Sequence, residues 1–145
     1  MTILHYSGRS RESGRIISDQ IDSVGRSEDS LKSMKMMKNL AERMASSISE
    51  EDILKVPEII SQSWEEKKNT SDKISNEGIE KIIEVARENG AIASKVSGAG
   101  GGGHILFIVP FKNRNTLLRS LNYESTNARV CSFTEGGVES WKMTR

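Results

Sequence analysis

The chain has 145 residues, and its 21 Lys and Arg nearly balance its 20 Asp and Glu, which leaves a formal net charge of +1 at pH 7. This length suffices for a core, so we expect a single domain over residues 1–145. The balanced charge provides no basic field for nucleic acid, and no segment is apolar for the ~20 residues that a membrane span needs. We therefore expect neither nucleic acid nor a membrane as a partner.

The first predicted element is a strand over Thr2–Tyr6. Because this strand begins almost at the first residue, we expect the chain to be a fragment of a larger fold. A helix is then predicted to begin within residues 10–14 and to end at Gly25. One side of this helix carries four apolar residues, Ile16, Ile17, Ile21 and Val24.

Three arginines, Arg9, Arg11 and Arg15, cluster where the first strand ends. Such a cluster is compatible with a solvated turn. It is also compatible with a sugar-phosphate site, because a guanidinium group matches the geometry of a phosphate. The residues alone leave both interpretations open, and we take Arg9 and Arg11 as candidate phosphate contacts.

A long helix is predicted after Ser27, a residue type that caps helix amino termini. Apolar residues recur along it at three- and four-residue steps. They are Leu31, Met34, Met37, Ala41, Met44 and Ile48. We interpret this stripe, with its methionines, as a core face rather than a ligand surface.

The next helix is predicted to have Pro57 in its first turn, where the missing backbone donor would be unpaired anyway. Trp64 is its largest apolar anchor. Lys67 and Lys68 follow, and we expect both to face water, as charged pairs on helices usually do. A further helix is capped by Asn76 and ends at Gly90.

The second half of the chain is predicted to supply the remaining strands. Strands over Ala91–Val96 and Ile105–Val109 flank a glycine-rich stretch, and a short helix includes Leu117 to Leu121. Ala128–Phe133 and Val138–Met143 are predicted to form a closing hairpin. This mixture of antiparallel strands and helices is α+β.

Cys131 is the single cysteine and excludes an internal disulfide, which favours a cytoplasmic protein. The alternating pattern around it predicts a strand, in which we expect Cys131 to be a small buried residue. His5 has no partner at the spacing of metal ligands, so we predict no metal site.

The stretch Lys95 to Val109 holds five of the twelve glycines. Gly98, Gly100 and Gly103 match the dinucleotide fingerprint G-x-G-x-x-G, but that fingerprint opens a helix and this stretch opens a strand. A Walker loop is excluded because no Gly-Lys-Ser/Thr follows. A flexible strand connection is the remaining interpretation from composition alone.

The segment KVSGAGGGG, preceded by the helical segment EGIEKIIEVARENGA, resembles the third motif of the GHMP kinases. The segments LHYSGRSRESGRII, SLKSMKMMKNLAERM and SWEEKKNTSDKISNEGI are similar to the heptose 7-phosphate kinase branch of that family. The resemblance covers nearly the whole chain but only the carboxyl-terminal half of such an enzyme. No Gly-Leu-Gly-Ser-Ser phosphate loop occurs in the chain.

The resemblance implies a ferredoxin-like antiparallel sheet of about four strands with helices on one face. It also implies that the complete enzyme uses ATP and Mg²⁺ to phosphorylate a sugar phosphate, and that its ATP loop and catalytic residues lie in the amino-terminal half. We therefore expect this chain to be inactive alone, to hold no cofactor by itself, and to associate with that half or with itself. The motif residues implied to line the cleft are Ser97, Gly98, Ala99, Gly100, Gly101, Gly102 and Gly103. Lys95 is a further candidate phosphate contact, although its position in the strand is equally compatible with a side chain that faces solvent.

Two departures from the family pattern bear on which sugar the complete enzyme would accept as its substrate. Ala93 and Ser94 stand where a pair of glycines is usual, and His104 replaces an apolar aromatic residue. His104 is compatible with a ligand contact or with a structural histidine. The alternative function is a ferredoxin-like domain whose glycine stretch receives an anion without catalysis, because a fold alone does not define a function.

Overall fold

The computed structural model describes residues 1–8, 12–123, 127–134, 136–138 and 140–142. Its elements in chain order are β1 (Thr2–Tyr6), α1 (Ser13–Arg26), α2 (Glu28–Ser49), α3 (Val56–Lys68), α4 (Glu77–Glu88), β2 (Ala93–Val96), β3 (His104–Ile108), α5 (Arg114–Leu121) and β4 (Ala128–Cys131). Short 3₁₀ turns at Ile53–Lys55 and Phe111–Asn113 precede α3 and α5. Within the described ranges, no helix is both long and apolar enough to cross a bilayer.

The four strands form one antiparallel sheet in the order β2-β3-β1-β4. The chain passes from β1 to β2 through α1 to α4, and from β3 to β4 through α5. This is the split βαβ arrangement of ferredoxin-like folds. The predicted α+β class and the four-stranded antiparallel sheet are confirmed.

One face of the sheet builds the core together with the helices. Strand alternation directs Ile3, Val96, Ile105 and Phe107 to this face, and all four are fully buried. The register places Ile3 opposite Phe107. The helices contribute Ile16, Trp64, Ile79, Ala86, Leu117 and Leu121 to the same cluster. The opposite face of the sheet carries Leu4, Tyr6, Leu106 and Ile108, which are only half-buried.

The helix α4 follows its local sequence signals at both ends. The Asn76 side-chain oxygen accepts a hydrogen bond from the Ile79 N–H at 3.2 Å, which satisfies one of the donors that a helix start leaves unpaired. Gly90 has a φ of +93° just after the helix. A Cβ there would lie 2.1 Å from the Asn113 side chain, so Gly90 is required both for its conformation and for its space.

The predicted core face of α2 is wrong. Leu31, Ala41 and Ile48 are exposed, and the three methionines of the stripe are half-buried. The buried residues of this helix are Ser30, Ser33, Leu40 and Ser47. The small serines on this buried side let α2 approach its neighbours closely, and the Ser30 hydroxyl donates to the Asn69 carbonyl oxygen at 3.2 Å.

The apolar side of α1 is buried only in part. Ile16 is buried, whereas Ile17 and Ile21 are 47% and 67% exposed. The helix begins at Ser13 and continues one residue past Gly25. Ser10 lies outside the described residues.

The predicted closing hairpin is not formed by the described residues. β4 ends at Cys131, and residues 136–138 and 140–142 have no strand structure, while 139 and 143 lie outside the described ranges. β4 pairs with the free edge of β1 instead, with Thr2 opposite Cys131. Cys131 is half-buried rather than buried because β4 is an edge strand.

Candidate functional site

The glycine loop, defined as Ser97–Gly103, joins β2 to β3 and has an unusual backbone. Gly98, Gly100, Gly101 and Gly103 have φ values of +76°, +109°, +70° and +85°. L side chains rarely adopt such values, whereas glycine does so without steric cost. The loop conformation therefore requires glycine at these positions.

The centre of the glycine loop packs on the segment that precedes α4. The Gly101 N–H donates to the Ile74 carbonyl oxygen at 2.6 Å, and the Asn76 side-chain amide donates to the Gly101 carbonyl oxygen at 3.2 Å. A Cβ at Gly100 would lie 2.8 Å from the Ile74 carbonyl oxygen. Gly100 to Gly102 are buried by this packing, whereas Ser97 and Gly98 remain exposed.

The end of β1 lies beside the same loop. The Ser7 N–H donates to the Gly103 carbonyl oxygen at 2.9 Å. Ser7, Asn76 and Gly101 line a surface cavity of about 360 Å³ at the start of α4. Arg9 and Arg11 follow Ser7 in the chain but lie outside the described residues, so their role as phosphate contacts stays a prediction.

Two lysines lie near the start of the loop. The Lys67 ammonium of α3 donates to the Gly98 carbonyl oxygen, and the Lys95 ammonium of β2 donates to the Ser63 hydroxyl at 2.7 Å. Both lysines are half-buried. Lys67 was predicted to face water; its side chain is half-buried, and its ammonium group contacts the loop. Lys68 is half-buried too, within 3.0 Å of Glu65 and 3.5 Å of Glu80.

The surroundings of Lys67 and Lys95 disfavour their charged forms. Burial lowers the pKa of Lys67, and the neighbouring Lys95 ammonium lowers it further. Burial also lowers the pKa of Lys95. Withdrawal from water penalises an ammonium group unless an opposite charge compensates it.

The two histidines lie close to the loop end of β1 and β3. His104 is exposed, and its ring centroid lies 5.3 Å from that of Tyr6. His5 is buried, and its Nδ1 has no hydrogen-bond partner among the described residues. Burial lowers the pKa of His5, and His104 lowers it further.

The described residues contain no group of three His, Cys, Asp or Glu side chains placed to hold a metal ion. The side chains that hydrogen-bond to the loop carry an amide (Asn76) and an ammonium group (Lys67), and the cavity beside it is also lined by Glu77 and Lys81. The amide and ammonium groups donate hydrogen bonds, and ammonium groups favour an anionic ligand.

Residues 36–125 match the family model described as GHMP kinases C terminal. The chain belongs to this family. The glycine loop, Ser97–Gly103, lies inside the matched range. The family assignment made from the glycine motif is confirmed.

Among curated relatives, this GHMP kinase domain is 33% identical over 142 residues to D-glycero-alpha-D-manno-heptose 7-phosphate kinase from Campylobacter jejuni. The match covers 98% of this chain and 42% of that protein. The chain therefore spans less than half the length of that relative.

Among solved structures, a putative sugar kinase from Campylobacter jejuni is similar with a TM-score of 0.65 and 30% identity, covering 97% of this chain and 38% of that one. Mevalonate kinase from L. major gives a TM-score of 0.71 at 14% identity, covering 89% of this chain and 40% of that one. The second likeness shows the fold alone. Both structures share the fold of this domain over most of its length.

The structure adds two neighbours of the loop that the sequence pattern did not reveal, Lys67 and Ile74, and it places Ser63 beside Lys95. Lys67 contacts Gly98, which lies 31 positions later in the chain. The periodicity of apolar residues within one helix does not predict a contact between residues so far apart in the sequence. Asn76 was predicted as a helix cap, which it is, but its second contact to Gly101 became visible only in the fold.

Proposed function

We propose that the chain is the carboxyl-terminal domain of an ATP-dependent sugar kinase of the heptose-phosphate type. The observation that carries this proposal is the 33% identity to a heptose 7-phosphate kinase, which extends over 98% of the chain. In this proposal the glycine loop, Ser97–Gly103, forms one wall of the cleft for the sugar phosphate and the nucleotide.

The geometry of the loop supports this role. Phosphoryl transfer requires that phosphate groups are positioned and that their developing charge is stabilised. The exposed tip at Ser97 and Gly98 has no large side chain that would block a phosphate. The Lys67 ammonium contacts Gly98, and the Lys95 ammonium contacts Ser63, four positions before Lys67 on α3. The buried centre holds the tip in place through Ile74 and Asn76.

The reaction needs groups that we do not assign to this chain. ATP is a substrate of the proposed enzyme, and Mg²⁺ neutralises charge on its phosphates. No residue of the described ranges is assigned to Mg²⁺, because none forms a suitable cluster. We likewise propose no catalytic base here, and we expect the isolated chain to be inactive.

The partner in this proposal is an amino-terminal kinase half, or a second copy of the chain in its absence. The side chains of Ile17 and Ile21 on α1 are 47% and 67% exposed, and apolar surface of this kind favours association. Such association predicts a species larger than a monomer in light scattering of the purified chain.

The test is ADP release from Mg-ATP and D-glycero-D-manno-heptose 7-phosphate. The assay is run with this chain alone, with a separately produced amino-terminal half of the Campylobacter jejuni relative, and with the two mixed. The intact relative serves as the positive control. We expect activity only in the mixture, and the Gly100→Ala variant should lower it because the loop would have to move.

Activity of this chain alone would overturn the claim that it lacks the catalytic half. A mixture that stays inactive, although the two halves co-migrate in size-exclusion chromatography, would overturn the kinase proposal. The non-catalytic anion-binding domain would then be favoured.

A further inference from the structure

We propose that Lys67 and Lys95, together with the exposed tip of the glycine loop at Ser97–Gly98, form a binding site for a phosphate group. The ligand class is a phosphate monoester or a phosphoanhydride. This inference deepens the proposed function, on which it rests for the identity of the molecule that carries the phosphate.

The two ammonium groups approach the same stretch of α3. Lys95 Nζ lies 2.7 Å from the hydroxyl of Ser63, and Ser63 and Lys67 are four positions apart and so share one face of the helix. Lys67 Nζ in turn contacts the Gly98 carbonyl oxygen. Residues from α3, β2 and the glycine loop therefore converge around these two cations.

The pair lacks a counter-charge. Three lysines are half-buried within the described ranges, Lys67, Lys68 and Lys95. Lys68 pairs with two carboxylates, whereas no carboxylate of the described residues lies within 4.0 Å of Lys67 or Lys95. Among the exposed lysines, Lys55 and Lys73 have acidic partners, whereas Lys35, Lys81 and Lys112 have none within 4.0 Å among the described residues and are solvated instead. Lys67 and Lys95 differ from these in being half-buried.

Such a pair is unfavourable without an anion. Partial burial weakens the hydration of each ammonium group, and the two positive charges repel each other. The lowered pKa of each lysine has burial as its main cause, and for Lys67 the neighbouring Lys95 adds to it. A bound anion would remove both penalties at once.

The donors left over suit a phosphate. An ammonium group has three N–H donors, and each lysine uses one of them within the described structure. About four donors thus remain for a tetrahedral group with several acceptor oxygens and two negative charges, which a carboxylate with a single charge would match less well. The exposed Ser97 and Gly98 leave the approach open.

The experiment titrates the ¹⁵N-labelled chain with inorganic phosphate, pyrophosphate, ADP and mannose 6-phosphate at constant ionic strength, with amide shifts as the readout. The variants are Lys67→Gln and Lys95→Gln, and Lys68→Gln on the same helix is the matched control. We expect saturable shifts at Ser97 and Gly98, weakened about tenfold or more by either of the first two substitutions. The control should bind as the parent chain does.

The contact between Lys67 and Gly98, which could stabilise the loop itself, is retained in Lys95→Gln. A loss of affinity in this variant therefore reports a direct contribution of Lys95 to anion binding. Unchanged affinity in this variant, or no saturable shift with any of the four probes, would overturn the site. Tighter binding of pyrophosphate and ADP assigns it to the nucleotide, and tighter binding of mannose 6-phosphate to the sugar phosphate. The titration measures binding without turnover, so its result is independent of the complementation assay. Saturable binding that requires both lysines would support the site even if the mixed halves were inactive. Active mixed halves without such binding would support the kinase proposal and overturn the site.

Discussion

Gly100 and Ile74 approach so closely that a Cβ on the glycine would lie 2.8 Å from the carbonyl oxygen of the isoleucine. The neighbouring Gly101 donates its N–H to the same oxygen at 2.6 Å. The loop that carries the family motif is thus held against the segment before α4 by backbone atoms on both sides. Side chains are excluded there for a steric reason.

The first prediction compares alanine at two glycines of this loop. Gly98 has a positive φ but open space around its Cβ position, so Gly98→Ala should cost about 1–2 kcal/mol of unfolding free energy through backbone strain alone. Gly100→Ala should cost more, because the Ile74 backbone must also move. Urea denaturation of the two variants measures the difference, and equal losses would contradict the importance of the close approach.

The second prediction concerns Asn76, which caps α4 and also donates to Gly101. Asn76→Ala should cost about 1–2 kcal/mol through loss of the cap. Asn76→Asp keeps a capping oxygen but loses the amide donor, so it should preserve α4 while shifting the amide resonances of the glycine loop. Ser27→Ala, which removes the cap of α2 at 3.3 Å, is the control that should leave the loop resonances unchanged. Loop shifts that are the same for Ser27→Ala and Asn76→Asp would argue against a specific coupling.

The third prediction uses the two tryptophans. Trp64 is 2% exposed and Trp141 is 80% exposed. In the Trp141→Phe variant the fluorescence should therefore come from the buried Trp64 alone, with a blue-shifted emission maximum that moves to longer wavelength when the core unfolds. Trp64→Ala should cost about 3–5 kcal/mol. Trp64→Phe should cost much less, because Trp64 Nε1 has no acceptor among the described residues and its removal abolishes an unpaired donor. Thermal unfolding compares the two variants, and a similar loss in both would contradict this account.

The fourth prediction is a pH dependence that originates from His5. Its pKa in the folded chain is lowered from 6.5 by burial and by His104, so the unfolded chain binds more protons between the two values. The free energy of unfolding should therefore increase as the pH rises from the lowered pKa of folded His5 to 6.5. Conversely, the chain should lose this stability as the pH falls from 6.5 towards the lowered pKa. The lost stability should be smaller in His5→Asn, which does not titrate.

The pKa of His5 is measured directly by titration of its ring resonances. His104→Asn is the matched control, which removes the neighbouring ring and should return the pKa of His5 part of the way towards 6.5. A His5 pKa at or above 6.5 in the parent chain would refute the prediction.

Several elements follow from the sequence because their causes are local. Asn76 before an apolar period and Gly90 after it predicted the ends of α4, since a cap and a left-handed glycine act within one turn. Short segments rich in apolar and β-branched residues likewise predicted β1 and β3. The closely spaced glycines predicted a loop whose backbone side chains would not allow, which the positive φ values confirm. The family was predicted from the resemblance of this segment to the third GHMP motif.

Other features depended on what each segment meets in the fold. The buried side of α2 is made of serines and Leu40, because small residues allow the neighbouring helix to approach, and the hydrophobicity of α2 alone pointed to another side. β4 pairs with β1 rather than with the residues after it, because β1 offers a free edge.

The sequence by itself determined the ends of α4, the strands β1 and β3 and the glycine loop, since each depends on residues a few positions apart. Only the tertiary structure brought Lys67 onto Gly98 and Lys95 onto Ser63, across 31 and 32 positions. Local periodicity distinguishes one side of a helix from another, but it does not specify which segment packs there. For that reason the environment of these two charges, and the anion site inferred from it, was decided by the packing of α3 beside β2 and the loop.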